Sequence, residues 1–168
     1  MSAEPNPASG RPRVVIIGVG NLLLGDEGVG IHVVEVLKPL GLPAQVIDGG
    51  TAGLGLIDHI AEAEHLILID AARMGRRPGD VVLLRPAEVA QAVEQVEEEA
   101  SLSAHQQGLL AVLKLAFALG YRPQVTIIAI EPKSVDWGTA LSDEVQLAVA
   151  RVLEMVRREV AGADPSIG

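Results

Sequence analysis

The segment Val14-Val15-Ile16-Ile17-Gly18-Val19-Gly20 constrains the chain most: four β-branched residues in a row, ended abruptly by alternating glycines. A run this apolar has no polar face to show to water, so it reads as a strand buried on both sides, as in a parallel sheet covered by helices. From Val29 the apolar positions Val29, Val33, Val36, Leu37 and Leu40 recur at helical spacing, and Gly41 and Pro43 stop the helix. The opening of the chain is therefore a strand, a glycine-framed loop and a helix.

Later segments repeat that logic. Gln45 to Asp48 reads as a second strand, with Gly49-Gly50-Thr51 turning the chain, and a short helix around Leu54 to Ala61 follows. His65-Leu66-Ile67-Leu68-Ile69-Asp70 is the clearest buried strand. Asp80 to Leu84 comes next after only the polar segment Arg73 to Gly79, too short for a helical crossover to a parallel strand, so an antiparallel strand is expected. Pro86 opens a helix expected to end in the acidic run Glu97 to Glu99. A helix from about His105 to Leu119, a fifth strand from Gln124 to Ile130, and a last helix capped by Ser142 and running to about Val160 complete the order.

With 168 residues the chain suffices for one full core but not for two ordinary domains. The expected organisation is a disordered tail over 1–12, one α/β domain over 13–161 and a frayed end over 162–168. Hydrophobic residues make up 49% and aromatics only 2%, so Val, Leu, Ile and Ala must fill the interior. The formal charge of −9 repels phosphate backbones and anionic lipid, and no dense Lys/Arg cluster reverses it, which argues against a nucleic-acid partner. No stretch is apolar enough for membrane insertion, and the Pro-rich beginning has no signal-like core. The lack of Cys removes disulfides, thiolate ligands and cysteine nucleophiles, in keeping with a cytoplasmic location.

In an open α/β sheet, ligands bind beyond the carboxyl ends of strands where the order reverses. If the second and third strands lie on opposite sides of the first, Glu27 of the glycine loop and Asp70 at the end of the third strand both arrive at that crevice. Two carboxylates about 4 Å apart repel by roughly 4 kcal/mol at an effective dielectric near 20, so the pair calls for a proton, an arginine or a metal ion. His105, as a neutral imidazole donor, supplies a third ligand of an open site. Each residue alone has an ordinary structural reading: Glu27 as a loop carboxylate, Asp70 as a strand-end cap, His105 as a helix residue. The glycines Gly18, Gly20, Gly25, Gly28 and Gly30 tip the balance, because a plain strand-to-helix connection rarely needs so many. Asp48 reads either as a substrate-orienting group or as a turn closer, and Trp137 as a packing residue. Gly18-Val19-Gly20 begins like a dinucleotide fingerprint, but Leu23 stands at its third glycine, and Asp26-Glu27 meets phosphate with like charge. No nucleotide-phosphate loop, zinc-protease helix or nucleophile elbow occurs.

Four segments in order, Gly18 to Gly30, Asp48-Gly49-Gly50-Thr51-Ala52-Gly53, Leu68-Ile69-Asp70-Ala71 and Ser103-Ala104-His105-Gln106, make the chain resemble the nickel-iron hydrogenase maturation endopeptidases, over about Arg13 to Val160. The resemblance implies a three-layer α/β/α sandwich on a five-stranded mixed sheet, mostly parallel with one antiparallel strand, of the phosphorylase/hydrolase-like kind. It implies Glu27, Asp70 and His105 as metal ligands, with Glu27 and Asp70 catalytic. Asp26, Asp48, Gly49, Gly50 and Thr51 are expected to contact substrate. The implied partner is a hydrogenase large subunit precursor, cleaved once near its C-terminus after nickel insertion, with nickel delivered by that substrate. The alternative is a non-cleaving, metal-checking chaperone that docks on the same subunit.

Overall fold

In a computed structural model of the chain, residues 12–51, 53–96 and 104–163 are described, with the side chains of residues 104–107 excepted. Of the tails expected at either end, residues 1–11 and 164–168 lie outside this set, as do the acidic run Glu97 to Glu99 and Ser103, while Gly162 and Ala163, expected to be frayed, continue the last helix.

Strand β1 (Val14–Gly18) leads through a 3-10 turn at Gly25–Gly28 into helix α1 (Val29–Leu37), which tightens into a second 3-10 turn at Lys38–Leu40. Gly41 stops it in the left-handed region, at φ 64°. Then come β2 (Gln45–Asp48), α2 (Leu56–Glu62), β3 (His65–Ala71), β4 (Val81–Leu84), α3 (Pro86–Glu94), α4 (Ala104–Ala118), β5 (Gln124–Ile130) and α5 (Asp143–Ala163). Pro86 occupies the first turn of α3, where its missing N–H costs nothing. The Val145 N–H donates to the Ser142 hydroxyl at 3.4 Å, so Ser142 caps α5 as its position suggested.

The five strands form one sheet in the order β2-β1-β3-β5-β4. β1 pairs in parallel with both β2 and β3, β3 in parallel with β5, and β4 antiparallel with β5. The short polar connection after β3 thus has the consequence expected of it: the chain turns back at the edge instead of crossing over.

Alternate residues of the central strands feed two cores, as a period of two requires. On one face Ile16, Ile67, Ile69, Ile128 and Ile130 pack with Val33 and Val34 of α1 and Val145, Val152 and Val156 of α5. On the other, Val15, Ile17, Leu66, Leu68, Val125 and Ile127 pack with Leu56 and Ile60 of α2, Val89 and Val93 of α3 and Leu113 and Ala116 of α4. β1 and nearly all of β3 and β5 are buried. Each such Val, Leu or Ile contributes about 1.5–3 kcal/mol, which lets a chain nearly devoid of aromatics build both layers.

Candidate functional site

Because β2 and β3 flank β1 on opposite sides, the connections leaving β1 and β3 diverge and open a crevice beyond their carboxyl ends. Two glycines bring the walls of that crevice together. A Cβ on Gly20, whose φ is 151°, would overlap the carbonyl oxygen of Glu27. One on Gly30 would overlap the carbonyls of Val19 and Ile69. The 3-10 turn carrying Glu27 therefore lies directly against the start of its own loop, and α1 begins directly against the end of β3, one residue from Asp70. Hydrogen bonds lock this contact: Val19 N–H to the Ile69 carbonyl at 3.0 Å and Gly20 N–H to the Gly50 carbonyl at 2.8 Å.

Asp70 follows Leu66 and Leu68 on the face covered by α2, α3 and α4, so its carboxyl emerges from an apolar layer. It is 6% exposed. A cavity of about 190 Å³ opens beside it, lined by Asp70 and by Ala72, Met74, Leu84, Ala92, Leu109, Leu110, Ile127 and Ala129. Burial in these surroundings pushes the Asp70 carboxyl up to about 8, and the negative charge of nearby Glu27 adds to the rise against a lowering hydrogen bond from the Ala71 N–H. Left without a cation, Asp70 carries its proton at neutral pH. The repulsion argued for two converging carboxylates is thus present in the fold.

Asp26, expected at the substrate, has a different position. It is 1% exposed and its carboxylate accepts the Lys133 N–H at 2.9 Å, the Ser134 N–H at 3.1 Å, the Ser142 N–H at 2.7 Å and the Ser142 hydroxyl at 2.8 Å. Burial alone would raise its pKa, but these bonds from Ser142, Ser134 and Lys133 outweigh burial and hold it below the ordinary carboxylate value. Asp26 fastens the glycine loop to the segment between β5 and α5 and has no surface to offer a ligand. An acidic pair in a loop gives no sign of which member turns inward. The missed partner was Ser142, whose hydroxyl both caps α5 and donates to Asp26.

Asp48 ends β2 at the edge of the sheet, and its Oδ1 accepts the Gly50 N–H at 2.9 Å. That bond shapes the turn Asp48-Gly49-Gly50-Thr51, which borders the crevice through the Gly20–Gly50 bond. His105 falls in the first turn of α4, and its side chain lies outside those described. Among the described residues no group of three acidic, histidine or cysteine side chains is placed to hold an ion, so the described part of the predicted trio is the Glu27 and Asp70 pair. Trp137, expected to pack, is 82% exposed. Glu131, which the sequence did not single out, is 6% exposed just past β5, and its Oε2 accepts the Met74 N–H at 2.6 Å, tying down the connection that follows Asp70.

A mainly parallel five-stranded sheet with one antiparallel edge, flanked by helices, is the fold of a class of solved endopeptidases. The hydrogenase maturating endopeptidase HybD from Escherichia coli superimposes with a TM-score of 0.75 at 32% identity, covering 86% of this chain and 89% of that one. The [NiFe] hydrogenase maturation protease HybD from Thermococcus kodakarensis does so with a TM-score of 0.73 at 32% identity, covering 87% and 97%. In sequence, the hydrogenase 2 maturation protease of Escherichia coli (strain K12) is 34% identical over 149 residues, 86% of this chain and 88% of that protein. The hydrogenase expression/formation protein HupD of Rhodobacter capsulatus is 35% identical over 160 residues, 90% and 74%. Residues 31–159 match the family of hydrogenase maturation proteases. The chain belongs to that family, and it is a protease.

Proposed function

We propose that this protease removes the C-terminal peptide from the nickel-loaded large subunit precursor of a nickel-iron hydrogenase, and that Glu27, Asp70 and His105 read the nickel held by that substrate. The observation that supports this reading is the buried Asp70 carboxyl beside Glu27, raised to about 8. A cation carried into the crevice by the substrate offsets both the cost of burial and the repulsion, so the site favours a precursor that already carries its metal. Empty precursor leaves Asp70 protonated and the pair unbridged.

Nickel belongs to the substrate in this scheme, and its ligation here fixes the scissile bond in the crevice, turning an encounter with a flexible tail into a reaction at a set place. Glu27 and Asp70 orient the ion, and whichever carboxylate oxygen is left off the metal serves as general base towards water. The turn Asp48-Gly49-Gly50-Thr51 borders the same crevice and supplies backbone groups to the extended tail. Asp26 acts behind the site by holding the loop. The setting is the cytoplasm, in keeping with the lack of cysteines; among the described residues no helix is long and apolar enough to cross a membrane.

The test is the mass of a nickel-loaded precursor after incubation. Wild-type protein is expected to shorten it by one C-terminal peptide, and Glu27→Gln, Asp70→Asn and His105→Gln each to slow this by about a hundredfold or more. Tight, metal-dependent binding with an unchanged precursor mass would instead make the protein a chaperone. Equal cleavage of nickel-free precursor would remove the metal from the recognition step.

A further inference from the structure

Among the described residues, four of the ten exposed large apolar side chains lie on segments leaving the carboxyl ends of parallel strands: Leu22 (42% exposed) and Leu23 (54%) after β1, Leu54 (69%) after β2 and Trp137 (82%) after β5. All three segments leave the same end of the sheet as the loop of Glu27 and the strand end of Asp70. Trp137 is the single tryptophan of the chain, and a tryptophan held this far into water is a side chain with its apolar surface unused.

Its presentation is rigid. Gly138 N–H donates to the Leu23 carbonyl at 2.9 Å, Gly25 N–H donates to the Gly138 carbonyl at 2.8 Å, and Leu24 and Gly138 form a parallel bridge. Trp137 and Leu23 thus stand one residue back from the same bridge on adjacent chains. The Asp26 carboxylate grips the segment on both sides of Trp137, at Ser134 and at Ser142. The loop that exposes Leu22 and Leu23 also carries Glu27 a few residues later.

We propose that Leu22, Leu23 and Trp137 form a docking surface for the folded body of the hydrogenase large subunit precursor, beside the tail that enters the crevice. The inference rests on the protease reading above, and the loop itself argues for this occupant: it exposes Leu22 and Leu23 and carries Glu27 a few residues later, so a substrate whose tail reaches Glu27 brings its body to the same rim. A second copy of the chain is the poorer fit, because two molecules of charge −9 repel. A tethered tryptophan with aliphatic neighbours is the usual form of an anchor that ordering costs do not weaken. The surface places the precursor body, while the carboxylates act on its tail.

The single tryptophan makes the test direct. With fluorotryptophan incorporated throughout, the protease gives one fluorine NMR resonance, from Trp137, and unlabelled nickel-loaded precursor is added to it. The resonance is expected to shift or broaden up to one equivalent of precursor. In cleavage assays the double variant Leu23→Ser with Trp137→Ser is expected to raise KM at least about tenfold with kcat changed by less than about twofold, and Trp137→Phe to restore most of the loss. A resonance that stays put while wild-type protein cuts the precursor would overturn the docking surface and leave the protease reading standing, as would an unchanged KM. Failure of wild-type protein to cut the precursor would sink the protease reading, and the resonance would then still decide whether Trp137 meets the subunit. A resonance that moves with protease concentration alone would assign the surface to self-association and overturn the proposal.

Discussion

Asp26 and Glu27 are neighbours in sequence with opposite fates. One carboxylate is enclosed by three N–H groups and a hydroxyl; the other belongs to the crevice. Replacing Asp26 by alanine leaves those donors buried without an acceptor, and the cost is expected to reach about 3 kcal/mol. Urea unfolding would show this as a fall in midpoint with the slope preserved. Cleavage should drop too, since the loop that presents Glu27 loses its fastening. A midpoint equal to that of wild type would mean that water replaces the carboxylate and that Asp26 holds nothing. At this scale the sequence was only partly legible. The glycines announced a special loop and Asp70 a strand end, yet nothing in the pattern Asp26-Glu27 says which residue faces inward, because that depends on donors more than a hundred residues away. Trp137 was misread for a similar reason: composition makes an aromatic a core residue by default, and only its tethered segment keeps it in water.

Elements were easier to read, because their signals are local. The uninterrupted apolar runs gave β1, β3 and β5 almost to the residue, and a connection too short for a crossover gave the antiparallel β4. The end of α3 was less legible: the sequence continues polar and helix-forming past Glu94, and the expected ending falls beyond the described residues. Where elements meet, glycine sets the distance. Gly30→Ala would drive a methyl group into the carbonyls of Val19 and Ile69, which belong to backbone and have little room to move. A loss of about 3 kcal/mol is expected, measured by thermal or urea unfolding. Because Ile69 precedes Asp70, cleavage by the surviving folded fraction should fall as well. A variant with wild-type stability would show that α1 can slide away from β3, against the reading that close approach builds the crevice.

Over the whole molecule, the chemistry and the partly buried cluster of His65, Glu159 and Arg85 lie at opposite ends of the sheet. His65 begins β3 with its Nε2 3.8 Å from the Glu159 carboxylate, which Arg85 also engages. Burial lowers the imidazole pKa, with Arg85 adding to the fall and Glu159 opposing it. The native protein therefore binds fewer protons at this group than the unfolded chain. Its contribution to stability is complete above about pH 6.5, the ordinary imidazole value, and is lost as pH falls from there through the depressed native value. His65→Gln should flatten the acid side of a plot of unfolding free energy against pH without altering the pH dependence of cleavage by folded protein. An unchanged slope would place the acid sensitivity elsewhere.

The two outermost strands, β2 and β4, are only four residues long, and β2 has exposed polar residues, Gln45 and Asp48, at its ends. Such stubs make poor templates for another chain to extend. A protein that leaves several greasy side chains in water, Trp137 and Leu147 the most exposed among the described residues, keeps the borders where cross-chain ribbons usually start cut short.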